Sequence, residues 1–322
     1  MKNFLYPLLL EPVYKDYIWG GERLKKDFGK ETDLYPLAES WELACHKDGT
    51  NRVINGECAG RTLQSMIEEH PSIVGEKVGD INLMPVMVKL IDANASLSIQ
   101  VHPDDDYAAR TGCGCGKSEM WYVLDAEEDA EIIYGFKDTV TKNEFETSIK
   151  NGSLLEIVNR VKVKKGDVFF TQAGTLHAIG KGILVAEIQQ NSNITYRVYD
   201  YGRRGKDGNH RPLHIEDALN VIVLEKTYQP KIKLTDIETD EHMETLLIKC
   251  PYFKSKLIRL KGEIKSFADR HSFHHLLCTD NNGIFEWNGT KISLKKGDSL
   301  LVPAGCGQYT IKGKLEYILT EV

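Results

Sequence analysis

His102, Glu119 and His177 are three residues of metal-ligating type, each at the edge of a separate apolar run. In Ser98-Ile99-Gln100-Val101-His102-Pro103 polar and apolar residues alternate, so Ser98, Gln100 and His102 share one strand face and Ile99 and Val101 the other. Pro103 follows where a ladder bond would otherwise continue. Past the glycine-rich loop from Thr111 to Gly116, Lys117-Ser118-Glu119-Met120-Trp121-Tyr122 sets a carboxylate beside a strongly apolar strand, a costly place for an unpaired charge. His177 stands where a tight turn aims its side chain. A lone histidine on a strand is usually a satisfied polar residue. On adjacent strands of one barrel, the nitrogen, oxygen, nitrogen set, with an amide available as a fourth ligand, suits a divalent metal such as zinc.

The element that aims His177 occurs twice. Gly166-Asp167-Val168-Phe169-Phe170-Thr171-Gln172-Ala173-Gly174-Thr175-Leu176-His177 returns as Gly297-Asp298-Ser299-Leu300-Leu301-Val302-Pro303-Ala304-Gly305-Cys306-Gly307-Gln308. In both copies a glycine turn starts a short apolar strand, and Ala-Gly makes a second turn. Two related β-sandwich or barrel modules follow from this. In the second copy Gln308 replaces the aimed histidine, and His274 and His275 lie on the strand matching that of Glu119. We therefore expect a metal-free second module and assign no metal to His271, His274 and His275.

Most other segments read as strands: Leu83 to Leu90, Leu97 to Val101, Met120 to Leu124, Glu131 to Phe136, Ile183 to Gln189 and Ile194 to Tyr199. Helices are expected at Thr62 to Glu69, Thr141 to Asn151 and Glu216 to Leu224. The chain is thus mainly β with a few interrupting helices. The polar stretch from Gln229 to Asp240 separates a first domain, 1–232, from a second, 233–322.

The 322 residues include 41 basic and 47 acidic side chains, a formal net charge of −6 that does not advertise nucleic-acid binding. No apolar stretch approaches the roughly 20 residues of a membrane span. The run from Phe4 to Leu10 is interrupted by Pro7 and lacks a small-residue cleavage site, so it does not read as a signal peptide. A cytoplasmic protein, free of membrane and nucleic acid and either a monomer or a small homo-oligomer, is expected. The seven scattered cysteines read as reduced thiols.

Ser98-Ile-Gln-Val-His-Pro103, Lys117-Ser-Glu-Met-Trp121, Ala173-Gly-Thr-Leu-His-Ala178 and Gln189-Gln-Asn-Ser-Asn-Ile-Thr-Tyr-Arg-Val-Tyr-Asp200 together resemble the type I mannose-6-phosphate isomerase family. Trp19-Gly20-Gly21 and Glu39-Ser40-Trp41-Glu42 look like that family too, and its shorter bacterial form is the best match. The resemblance runs from Tyr14 to Ile222. It implies a fold of two cupin (jelly-roll β-barrel) modules, one zinc ion per chain, and interconversion of mannose 6-phosphate with fructose 6-phosphate. The repeat matches the cupin glycine-turn-histidine motif, except that Gln172 replaces its usual proline. By the same resemblance His102, Glu119 and His177 are zinc ligands, with Gln100 a fourth in longer relatives. Arg197 matches the catalytic arginine, Lys117 and Glu187 match active-site positions, and Ser98 and Lys89 match substrate-binding positions. The charged stretch between Gly202 and Arg211 and the tail after Lys233 depart from the family pattern.

An aldose–ketose isomerase moves a proton between C1 and C2 through an enediol, which needs a base, an acid for oxygen, and positive charge near the oxyanion. Arg197 is a poor resting base, so Glu187 is the better candidate. On an apolar strand its carboxylate needs a partner, either the metal or a cation such as Arg197. Lys89 and Lys117 would offset the phosphate. The alternatives are an iron-dependent cupin dioxygenase at the same triad and a non-catalytic sugar-binding module stabilised by metal.

Overall fold

The computed structural model describes residues 5–78 and 83–322. It is mainly β, as expected, and its strands form two jelly-roll modules. In the first, a six-stranded sheet faces a five-stranded one. The six-stranded sheet includes, in spatial order, Val168–Thr171, Glu119–Ala126, Ile183–Gln190, Val86–Ala93 and Glu39–Leu43. The five-stranded sheet contains Glu131–Phe136, His177–Ala178, Ile99–Val101 and Tyr196–Tyr199 side by side. Between the sheets Trp121, Val123, Val185 and Phe169 pack against Ile132 and Tyr134.

Every residue of Ile183–Gln190 is buried, because this strand is covered on both faces. Alternate residues Leu184, Ala186 and Ile188 join Met120 and Tyr122 in a second core shared with Leu257, Leu277 and Ile318 of the second module. That sharing explains why the strand reads as a continuous apolar run. Helices cover the outer face of the five-stranded sheet, where Phe145, Leu154 and Ala218 pack on Ile99, Val101 and Phe136.

The Thr62 side chain caps Leu63–Glu69, and Thr141 with Glu144 forms a capping box on Lys142–Asn151. The third helix, expected to reach Leu224, ends at Val221. Beyond it the Val223 N–H donates to Gly174 O at 2.8 Å and Leu224 O accepts from the Val140 N–H at 3.0 Å. The chain leaves the helix to pair with its neighbours. The strand expected to start at Leu83 starts at Val86, past Pro85, which has no N–H for a ladder, and runs on to Ala93.

The two copies of the repeat fold alike. Gly166 and Gly297 have φ of 90° and 91°, and Gly174 and Gly305 have 87° and 82°, all in the left-handed region that glycine permits. Asp167 and Asp298 each accept from a backbone N–H three residues earlier, at 2.9 Å. The second module is built on a ten-stranded sheet around Leu276, Phe285, Leu300 and Tyr317. One of those strands, Leu8–Glu11, comes from the start of the chain. It pairs Leu8 with Leu301 and Leu9 with Leu300, then Leu10 with Val53 of the first module. The apolar N-terminal run is therefore a strand shared between modules; Phe4 lies outside the described residues. All seven cysteines are free thiols.

Candidate active site

The ligating atoms of His102, Glu119 and His177 lie within 4.8 Å of one another, and all three residues are buried. Adjacent strands bring them together: Glu119 pairs with Thr171 just before the second turn of the repeat, and that turn carries the chain across to His177 in the opposite sheet. His177 Nδ1 sits 2.8 Å from Thr175 O, so it donates that proton and leaves Nε2 as a free lone pair 3.3 Å from Glu119 Oε1. Neither His177 Nε2 nor Glu119 Oε1 has a hydrogen-bond partner in the protein. Burial, then the Lys117 charge, holds His102 well below its usual value, and burial pushes His177 down to about 4, so both rings are neutral at pH 7. Buried neutral imidazoles and a carboxylate aimed at one point fit a divalent cation such as zinc. The Lys117 ammonium, 2.7 Å from Glu119 Oε2 and 3.2 Å from His102 Nε2, also marks the spot as one for positive charge.

Gln100 lies between two of the residues expected from sequence in the site, paired in the five-stranded sheet with His177 on one side and Arg197 on the other. Ser98 is one step along the same face. Its hydroxyl accepts from Arg197 Nε at 3.2 Å, while Arg197 Nη1 donates to Pro212 O at 3.0 Å.

Across the cavity, four residues form one row over adjacent strands: Trp41 pairs with Lys89, Lys89 with Glu187, and Glu187 with Trp121. Trp121 Nε1 donates to Glu187 Oε2 at 3.0 Å, and Trp41 Nε1 donates to Glu39 Oε2 at 2.6 Å. The buried Lys89 ammonium lies 3.3 Å from Glu187 and 3.7 Å from Glu39. Glu187 is therefore not a surface ion-pair residue, and its partners are Lys89 and Trp121 rather than Arg197. Burial works upward on its pKa, but Lys117, Lys89 and the Trp121 indole outweigh it and leave the carboxyl below its usual range. Burial and the Glu187 charge push Glu119 up instead, against Lys117, so Glu187 is the ionised member of the pair. A divalent cation at the triad would hold Glu119 ionised as well.

A cavity of about 300 Å³ is lined by Lys89, Ser98, Gln100, Lys117, Glu187 and Arg197, and Lys117 links it to the triad. Trp19, Glu39, Tyr17, Asn193 and Arg211 also line it, none of them singled out individually from sequence. Trp19 and Glu39 belong to the two N-terminal motifs, and the glycine after Trp19 has a packing reason. A Cβ on Gly20 would stand 2.6 Å from the backbone of Ala38, beside Glu39.

The second module supplies an internal comparison. The Gly174 N–H donates to His102 O at 2.9 Å, and the Gly305 N–H donates to Asp269 O at 2.7 Å. Thr171 pairs with Glu119 as Val302 pairs with His274. Asp269, His274 and Gln308 therefore occupy the places of His102, Glu119 and His177. His274 is engaged by the Tyr309 hydroxyl at 2.7 Å and Glu321 at 3.5 Å, and His275 by Ser299 at 2.9 Å. Among the described residues, His102, Glu119 and His177 of the first module are the only group of three or more His, Cys, Asp or Glu side chains close enough to share a metal ion.

Residues 8–147 match the family model for the phosphomannose isomerase type I catalytic domain, and residues 242–322 match that for the mannose-6-phosphate isomerase cupin domain. The chain is 38% identical over 319 residues to the probable mannose-6-phosphate isomerase GmuF of Bacillus subtilis, spanning 98% of this chain and 99% of that protein. It is 35% identical over 317 residues to the mannose-6-phosphate isomerase of Streptococcus mutans, with 97% of each chain covered. The crystal structure of the Bacillus subtilis mannose 6-phosphate isomerase superposes with a TM-score of 0.92 at 35% identity, covering 98% of this chain and 99% of that one.

Proposed function

The chain belongs to the type I mannose-6-phosphate isomerase family of aldose–ketose isomerases, and from that membership we propose how its cavity interconverts mannose 6-phosphate and fructose 6-phosphate. His102, Glu119 and His177 hold one zinc ion, with Gln100 beside them as a fourth ligand. When bound, the ion supplies a Lewis acid for the sugar's carbonyl and hydroxyl oxygens. Residues 1–232 form the catalytic domain and 233–322 the metal-free second domain, except that the strand Leu8–Glu11 is lent to the second domain's sheet.

Glu187 is the base. It takes the proton from C2 of mannose 6-phosphate and delivers it to C1, and the reverse path forms the aldose. One observation carries this assignment: a buried carboxylate, kept ionised by Lys89, Lys117 and Trp121, opens on a cavity that is also lined by Lys117, the residue whose ammonium touches Glu119 of the triad. The indole and the Lys89 ammonium fix the carboxylate's orientation. Arg197, aligned by the Ser98 hydroxyl, faces the oxygen that becomes negative as the enediolate forms, where a fixed donor lowers the barrier. Lys117 adds positive charge on the triad side. Ser98 and Lys89 also line the space that the sugar fills.

The test is isomerisation of mannose 6-phosphate by purified protein, coupled to consumption of fructose 6-phosphate. Activity should vanish on chelation and return with zinc. Full turnover in protein shown to contain no metal would overturn the zinc assignment, and no turnover with zinc present would overturn the reaction.

A further inference from the structure

We propose that Arg211, positioned by Asp200, is the residue that grips the substrate's phosphate dianion. The inference rests on the activity assigned above. The charged stretch that departs from the family pattern closes on itself, the Gly205 N–H donating to Asn209 O at 2.8 Å and Arg204 bridging to His210. It then returns along the strand Tyr196–Tyr199. Pro212 O accepts from Arg197 Nη1, His214 Nδ1 accepts from the Arg197 N–H at 3.2 Å, and the His214 N–H donates to Arg197 O at 2.8 Å. This stitching brings Arg211 to the wall of the cavity that Arg197 also lines.

Asp200 is buried and accepts the Arg211 fork through both oxygens, Nε on Oδ2 at 2.8 Å and Nη2 on Oδ1. Arg203 turns its own fork inward, to Asp200 O at 3.2 Å, Ser96 O at 2.5 Å and Asp200 Oδ1 at 2.5 Å. The bonds of Arg211 use only part of its fork, leaving N–H groups for a ligand. Charge points the same way: three guanidinium groups, of Arg197, Arg203 and Arg211, surround one carboxylate. Among the described residues no carboxylate pairs with Arg197. Burial first, then the Arg211 and Arg203 charges, against the pull of Asp200, hold Arg197 below its ordinary value. A doubly negative group bound between cavity and loop relieves that repulsion, and a planar guanidinium matches phosphate geometry. Lys89 is the weaker candidate, because Glu39 and Glu187 already neutralise it.

The experiment measures binding of inorganic phosphate by calorimetry, together with kcat and KM for mannose 6-phosphate, in the zinc-loaded parent and in Arg211→Gln. We expect phosphate affinity to fall about ten- to a hundredfold, the range for losing a charge-assisted bond, with the kinetic loss mainly in KM. Parent-like phosphate affinity in folded Arg211→Gln overturns the proposal. A second measurement needs no variant: phosphate should slow phenylglyoxal modification of Arg211 several-fold, read by peptide mass spectrometry, without protecting the exposed Arg160. Equal modification of Arg211 with and without phosphate also overturns it. If the parent binds phosphate through Arg211 but does not isomerise mannose 6-phosphate, the activity falls and the subsite stands. Turnover with phosphate binding independent of Arg211 removes the subsite alone.

Discussion

Lys89 and Glu187 are direct cross-strand partners, their charged ends 3.3 Å apart beneath the cavity. Glu39, 3.7 Å from the same ammonium, makes Lys89 the shared counter-ion of two buried carboxylates. Burial works against this ammonium, but Glu39 and Glu187 outweigh it and hold its pKa above the ordinary lysine value. With Lys117, this cation holds Glu187, the proposed base, ionised.

Replacing Lys89 with Met removes that counter-ion. Two buried carboxylates then face each other, and the cost of breaking a buried ion pair is about 3–5 kcal/mol. Glu187 loses one of the charges that depress its pKa, so it stays protonated to a higher pH. The acid limb of the kcat/KM profile should therefore move upward in pH, and urea unfolding should show the loss of stability. An unmoved acid limb would show that Lys89 does not set the ionisation of the base.

Glu187→Gln preserves shape and should preserve zinc. Loss of a positioned base slows proton transfer by about 10²–10⁴-fold. Solvent-deuterium incorporation at C2 of mannose 6-phosphate and C1 of fructose 6-phosphate, followed by NMR in the zinc-replete variant, reports that step alone. Exchange at the parent rate would move the base to another group.

His177→Ala and His102→Ala each leave the first coordination shell incomplete and should lose both metal and nearly all turnover. Gln308→His should gain no zinc, because His274 beside it is already engaged by Tyr309 and Glu321. Metal analysis after dialysis decides both; stoichiometric zinc in the two histidine variants would disprove the ligand set.

Arg197→Lys keeps the charge but loses the fork that bonds Ser98 and Pro212 together. Zinc content should remain near that of the parent while turnover falls at least about a hundredfold, the scale of losing one oxyanion donor. Near-normal kcat would assign Arg197 a structural role.

His275 predicts a pH dependence remote from the active site. Burial pushes its pKa down to about 3, while an unfolded histidine titrates near 6.5. As pH falls below about 6.5 the unfolded chain takes the proton and the folded chain does not, so stability is full above that pH and declines toward 3. The slope reaches about 1.4 kcal/mol per pH unit. His275→Gln should flatten this part of the curve in denaturant titrations between pH 7 and 4; an unchanged slope would show that His275 does not contribute.

The triad was legible because alternation fixes which residues share a strand face, and the repeated turn fixes where His177 points. The inward face of Glu187 was legible for the same reason. Its partners were not: the pairing of Glu187 with Lys89 and Trp121 depends on which strands lie side by side, and that order is set by long-range packing. Arg211 was hidden for a related reason, since only the return of its loop along Tyr196–Tyr199 brings it to the cavity. The helix overrun past Val221 reflects tertiary pairing of Val223 and Leu224, which local propensity does not register.

The strand Leu8–Glu11 has a consequence for biosynthesis. It is translated long before its partner Ser299–Val302. Until that partner leaves the ribosome, the nascent chain carries an apolar strand with one edge open, a template for mispairing with other chains. The second module cannot complete its sheet from its own continuous segment, so cutting the chain near residue 232 strands Leu8 and Leu9 on the wrong fragment. Co-expressed halves should recover the fold by finding each other through this strand.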